Sequence, residues 1–95
     1  MSKINEVSGE LSQADRMFFE GLGYEKIEEN DLMVRYLYAD RETDSGQVIQ
    51  EQIFFNKLTK EVAHYDCIKR KYLSFYADDM KAVYMKMQEL GWIKE

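Results

Sequence analysis

Leu32-Met33-Val34-Arg35-Tyr36-Leu37-Tyr38-Ala39 is the stretch whose period decides the fold. Leu32, Val34, Tyr36 and Tyr38 alternate with Met33, Arg35, Leu37 and Ala39. A period of two puts the two sets on opposite faces of a strand, and the residues are good strand formers. Working outward, Tyr24–Glu28 reads as a short strand, followed by a polar turn at Glu29-Asn30-Asp31. On the other side, residues 40–46 form a polar connection ending in glycine. Ile49, Ile53 and Phe55 then mark the inward face of a third strand. Asn56-Lys57-Leu58-Thr59 reads as a hairpin turn into a fourth strand over Lys60–Cys67. Connections this short make neighbouring strands antiparallel.

The period changes to helical on both flanks. Ser12-Gln13-Ala14-Asp15 reads as a helix start, with the Ser12 hydroxyl accepting from an early backbone N–H and Asp15 near the positive end of the helix dipole. Ala14, Met17, Phe18, Gly21 and Leu22 follow as one apolar face, and Gly23 stops the helix with Tyr24 packing back. Asp78 and Asp79 open a second helix, whose expected apolar stripe is Met80, Val83, Tyr84, Met87 and Leu90, with Lys81, Lys86 and Glu89 elsewhere; Gly91 and Trp92 end it. Leu-Gly-aromatic therefore occurs twice, which a shared glycine stop signal explains more simply than a duplication. Each helix has one apolar stripe, and a half-buried sheet needs covering. The expected fold is α+β: a four-stranded antiparallel sheet with two helices, N- and C-terminal, packed on one face. Residues 1–11 read as a flexible leader and 12–95 as a single domain.

Composition supports one globular domain. At 95 residues, 45% hydrophobic and 14% aromatic, the chain can bury roughly 60–65% of its unfolded surface without staples. A single cysteine, Cys67, no 20-residue apolar run and no signal-peptide pattern point to the cytoplasm and away from a membrane. The net charge of −5 is uneven: residues 1–51 hold 12 acids and 5 bases (−7), residues 52–95 hold 6 acids and 8 bases (+2). An acidic first half argues against nucleic acid as a partner, and Lys69-Arg70-Lys71 reads as a solvated turn.

No catalytic, metal or cofactor motif emerges. In a strand His64 and Asp66 share a face while Cys67 points away, so the most the segment offers is a His64–Asp66 surface pair, with neither a nucleophile pair nor a metal set; the plainer reading is an ordinary strand histidine and a half-buried cysteine. Glu28-Glu29-Asn30-Asp31 lacks the spacing of a calcium loop. Gly21-Leu22-Gly23 closes a helix instead of opening one, so it is no phosphate cradle. An enzyme is not expected. If Val34, Tyr36, Ile53 and Phe55 face the helices, then Met33, Leu37, Val48 and Phe54 face outward, a row more apolar than a solvent face requires. That row is a candidate protein interface, or else it is covered by the leader.

The segment Ala14–Tyr24, the strand Gln52-Ile53-Phe54-Phe55, and Asp79-Met80-Lys81-Ala82-Val83 with Glu89-Leu90-Gly91-Trp92 resemble a group of short phage and prophage proteins of Gram-positive bacteria. In that group Leu-Gly-Tyr and Glu-Leu-Gly-Trp helix ends bracket a few strands. The resemblance implies an origin and a host cytoplasm, and carries over no catalytic residue. The functional expectation is a small phage accessory protein acting by protein–protein interaction or self-association, its partner being a second copy or a host or phage protein. The alternative is an acidic mimic of nucleic acid that occupies a DNA- or RNA-binding protein through Glu25, Glu28, Glu29, Asp31, Asp40, Glu42 and Asp44.

Overall fold

The computed structural model describes residues 11–40 and 49–93. The leader read over residues 1–11 lies outside them apart from Leu11, as do Glu42, Asp44 and Val48. The strands are β1 (Tyr24–Glu29), β2 (Met33–Asp40), β3 (Ile49–Asn56), β4 (Glu61–Asp66) and β5 (Lys71–Leu73). They pair antiparallel in sequence order, so the sheet is a meander of five strands, one more than expected. The extra strand is three residues long, too short to show a period, and it begins within the basic segment read as a turn. Arg70 does sit in that turn, at φ 57°. The three tight connections share one device. The side-chain oxygens of Asn30, Asn56 and Asp66 each accept two backbone N–H groups, from Leu32 and Met33, Leu58 and Thr59, and Ile68 and Lys69.

The N-terminal helical segment begins with a reciprocal cap. Asp15 N–H donates to Ser12 Oγ at 3.2 Å, and Ser12 N–H donates to an Asp15 carboxylate oxygen at 3.1 Å. The chain then widens into a π turn, Asp15–Phe19, and tightens into a 3₁₀ turn, Glu20–Leu22. Widening brings residues five apart onto one side. Ala14 and Phe19 therefore share the buried face, while Met17, expected inside, is 62% exposed. The second helix, α1, spans Ala77–Glu89. Its end satisfies two orphan carbonyls: Gly91 N–H donates to Gln88 O and Trp92 N–H to Met87 O.

Both helical segments cover one face of the sheet. Val34, Tyr36, Ile53 and Phe55 are fully buried there against Phe19, Ala82 and Val83, with Met87, Leu90 and Trp92 packed at the edge. The α1 stripe is rotated from the expected one. Asp79, Ala82, Val83 and Lys86 are buried, whereas Met80 and Tyr84 are exposed. Two charged residues take the inner face because each finds polar partners there.

Gly23 joins the first helix to β1 at φ 95°, and a Cβ on it would lie 2.9 Å from Tyr38 Cε1. Gly91 has a similar φ of 79° but open space around it. Gly91→Ala is expected to cost about 1 kcal/mol from backbone strain alone. Gly23→Ala should cost about 2–3 kcal/mol, because the same strain is joined by a displaced Tyr38. Urea unfolding of the two variants isolates the clash, and equal losses would contradict it.

Candidate functional site

The sheet register sorts side chains into two faces with different chemistry. On the outer face Glu25 pairs with Leu37 and Glu28 with Arg35 between β1 and β2. Across β3 and β4, Arg35 lies beside Phe54 and Ala63, and Leu37 beside Gln52 and Tyr65; Tyr65 faces Tyr72 of β5. Leu37, Phe54, Tyr65 and Tyr72 are thus neighbours within two adjacent rows. The Tyr65 and Tyr72 rings meet edge-on at 5.1 Å, and Tyr72 is 75% exposed. Met33, Leu37 and Phe54 are all half-buried on this face as the alternation predicts. The face is less uniformly apolar than expected, since Gln50, Gln52 and the Arg35–Glu28 ion pair lie on it. Sequence reading missed Tyr65 and Tyr72, because placing Tyr72 required knowing that β5 exists.

Among the described residues the candidate acids do not gather on one surface. Glu25 and Glu28 face outward, Glu28 being bound by Arg35 Nε at 2.7 Å. Glu29 falls on the inner face beyond an irregularity at Ile27, where Lys26 Nζ lies 2.5 Å and Lys57 Nζ 3.9 Å from it. Asp31 is exposed in the β1–β2 turn, and Asp40 ends β2 opposite Ile49.

Beneath the helices lie two polar clusters that sequence reading did not anticipate. In the first, Asp15 is 1% exposed and accepts from the Tyr36 hydroxyl, with Lys26 Nζ at 2.9 Å and Lys86 Nζ at 3.5 Å. Glu89 completes it, 3.5 Å from Lys86 and accepting the Ala14 N–H at 2.8 Å. Burial alone would raise the Asp15 carboxyl; the Tyr36 and Lys26 hydrogen bonds and the Lys86 charge outweigh it and hold it low. Each acid here meets an ammonium, so the cluster ties the two helical segments to the sheet.

The second cluster centres on His64, which is 1% exposed and so is not the surface partner of Asp66. Its Nε2 lies 2.9 Å from Glu51 Oε1 and its Nδ1 3.0 Å from the Ser74 carbonyl. Both ring nitrogens therefore face acceptor oxygens, and His64 is held between Glu51 and the Ser74 carbonyl. Cys67 is half-buried and its thiol is pushed up by burial and by Asp66, which makes it a poor nucleophile. Among the described residues no group of histidine, cysteine, aspartate or glutamate is close enough to hold a metal ion. No helix among them is long and apolar enough to cross a membrane.

The fold and faces define an α+β meander sheet with one face under helices and one open. No protein-family model matches the chain, and neither a curated protein nor a solved structure matches it significantly.

Proposed function

We propose that this is a small non-catalytic accessory protein that works in the cytoplasm by binding another protein, or a second copy of itself, through the outer face of the sheet. The observation that carries the reading is the neighbouring set Leu37, Phe54, Tyr65 and Tyr72 on the face opposite both helices. Aromatic residues and arginine are the types enriched in interface cores, and Arg35 borders this set beside Phe54. The likeness to phage and prophage proteins adds an origin to the reading. The acidic-mimic alternative draws on the −7 first half, but Glu28 and Glu29 spend their charge on Arg35 and Lys26.

The test is association measured by sedimentation over a wide concentration range, followed by affinity capture from host lysate at low and high salt. An apolar interface gives a salt-tolerant complex. Leu37→Asp and Phe54→Asp should each weaken it about 30-fold or more, as loss of a central anchor costs about 2 kcal/mol. Mimicry gives a complex that dissociates as salt screens it and that weakens when Glu25 and Asp31 are neutralised. A protein that stays monomeric, binds no hydrophobic dye and captures nothing rules out the outer-face reading.

A further inference from the structure

The inner face of the sheet ends in a row that the helices leave partly open. Tyr24, Tyr38 and Glu51 are register partners across β1, β2 and β3, and the first turn of α1 stands beside them with Tyr76, Asp78 and Asp79. Together they line a cleft of about 330 Å³. Its chemistry is one-sided. Glu51 is 9% and Asp79 4% exposed, no lysine or arginine is among the described residues lining it, and the one base bonded to a lining carboxylate is His64, through Glu51.

The contrast with the Asp15 cluster is informative. There every carboxylate has an ammonium within 3.5 Å. Asp79 is held instead by neutral donors, the Tyr24 hydroxyl at 3.3 Å and the backbone of Tyr76, and among the described residues it forms no ion pair. The α1 N-terminus supplies roughly half a positive charge. Among the described residues no lysine or arginine pairs with Glu51 or Asp79, and His64 is the one base in contact with either. Lys69 and Lys71 line the adjoining groove, but both are exposed, where water and salt screen them.

From this we infer that the cleft binds an organic ammonium group, its N–H donors reaching Glu51 and Asp79 and its alkyl part lying against the tyrosine rings. The group is carried either by a free amine or by a lysine side chain of a partner protein. Among the described residues no three metal-ligating side chains gather here, and phenol rings are the walls that a cation with an apolar skirt uses. The local field agrees in direction. Burial, then the charges of Asp79 and Glu51, push the Tyr24 phenol far up; burial and Glu51 raise Tyr76; burial raises Asp79 despite His64. A bound cation relieves all three. The inference is independent of the outer face.

The experiment is an amide chemical-shift titration of the full chain with n-butylammonium chloride, against sodium chloride at matched ionic strength. Saturable shifts at Tyr24, Glu51 and Tyr76–Asp79, at millimolar concentration or below, are expected. Glu51→Gln should weaken binding at least tenfold. Tyr76→Ala, at a half-exposed position outside the core, should weaken it several-fold while leaving the fold intact by circular dichroism. Leu37→Asp should leave it unchanged. A lysine-containing peptide that binds where butylammonium does not identifies a protein-borne ammonium; butylammonium binding alone identifies a free amine. Shifts no larger than those from sodium chloride with both ligands, or centred away from the cleft, overturn the inference.

Discussion

Replacing Asp15 with alanine is expected to lower the unfolding free energy by about 3–5 kcal/mol, the usual cost of removing one partner from a buried ion pair. Lys26 and Lys86, whose side chains are 3% and 4% exposed, would lose a carboxylate at 2.9 Å and 3.5 Å. The Tyr36 hydroxyl would lose its acceptor, and the helix start would lose half of its reciprocal cap. A domain of this length has a total stability of about 5–14 kcal/mol, so the loss is a large fraction of the whole. Asp15→Asn separates charge from shape. It keeps an oxygen for Tyr36 and Ser12 but faces two ammoniums with no charge, so its loss should fall between those of wild type and alanine. Urea unfolding followed by circular dichroism measures all three. A loss under about 1 kcal/mol for alanine would mean that the lysines find water or other acids when Asp15 is gone.

The same cluster fixes the sign of the acid response. Burial opposes ionisation of Asp15 and Glu29, but the Tyr36 and Lys26 hydrogen bonds on Asp15, and the Lys26 bond and Lys86 charge on Glu29, hold both below the ordinary carboxylate range. A carboxyl lowered on folding contributes stability above its unfolded pKa of about 4 and loses it as pH falls through the folded value. Asp79 is raised by burial and acts the other way: it costs stability once ionised, and acid relieves it. Lys26, which burial would lower, is raised by Glu29 and Asp15, so its contribution persists at neutral pH and fades only above about pH 10. Wild-type stability should therefore fall steeply below about pH 4, and Asp15→Ala should flatten that limb.

The strand faces were legible because alternation in residues 32–39 is a local signal that burial obeys. Val34, Tyr36, Ile53 and Phe55 are the fully buried sheet residues the period predicted. Helix rotation was less legible. Hydropathy put Met80 and Tyr84 inside and Lys86 outside, whereas Lys86 is buried because Asp15 lies across from it, 71 positions earlier in the chain. No local pattern records a partner at that distance. The end cleft was hidden for the same reason: Glu51 and Asp79 come together only after the sheet register and the α1 docking are fixed. The outer-face aromatics lie between these cases. Leu37 and Phe54 follow from alternation, but Tyr72 joins them only through β5.

The π turn gives the last large effect, because it decides which of Met17, Phe18 and Phe19 enters the core. Phe19 is 1% exposed and stacks parallel on Tyr36, with ring centroids 3.8 Å apart; Phe55 and Tyr24 meet it edge-on at 6.2 Å and 5.9 Å. All three aromatic partners are strand residues held by ladder hydrogen bonds, so the space left by Phe19→Ala cannot close cheaply. A loss of about 3–5 kcal/mol is expected, within the range for deleting a buried phenylalanine. Met17→Ala, at a position 62% exposed, should cost under about 0.5 kcal/mol. Relaxation of the turn to α-helical period would rotate half-buried Phe18 toward the vacancy, and the double variant Phe18→Ala/Phe19→Ala removes that rescue. A double loss larger than the sum of the two singles identifies the re-registered helix. Equal losses for Phe19→Ala and Met17→Ala would mean that the buried face of this segment is the α-helical one read from hydropathy.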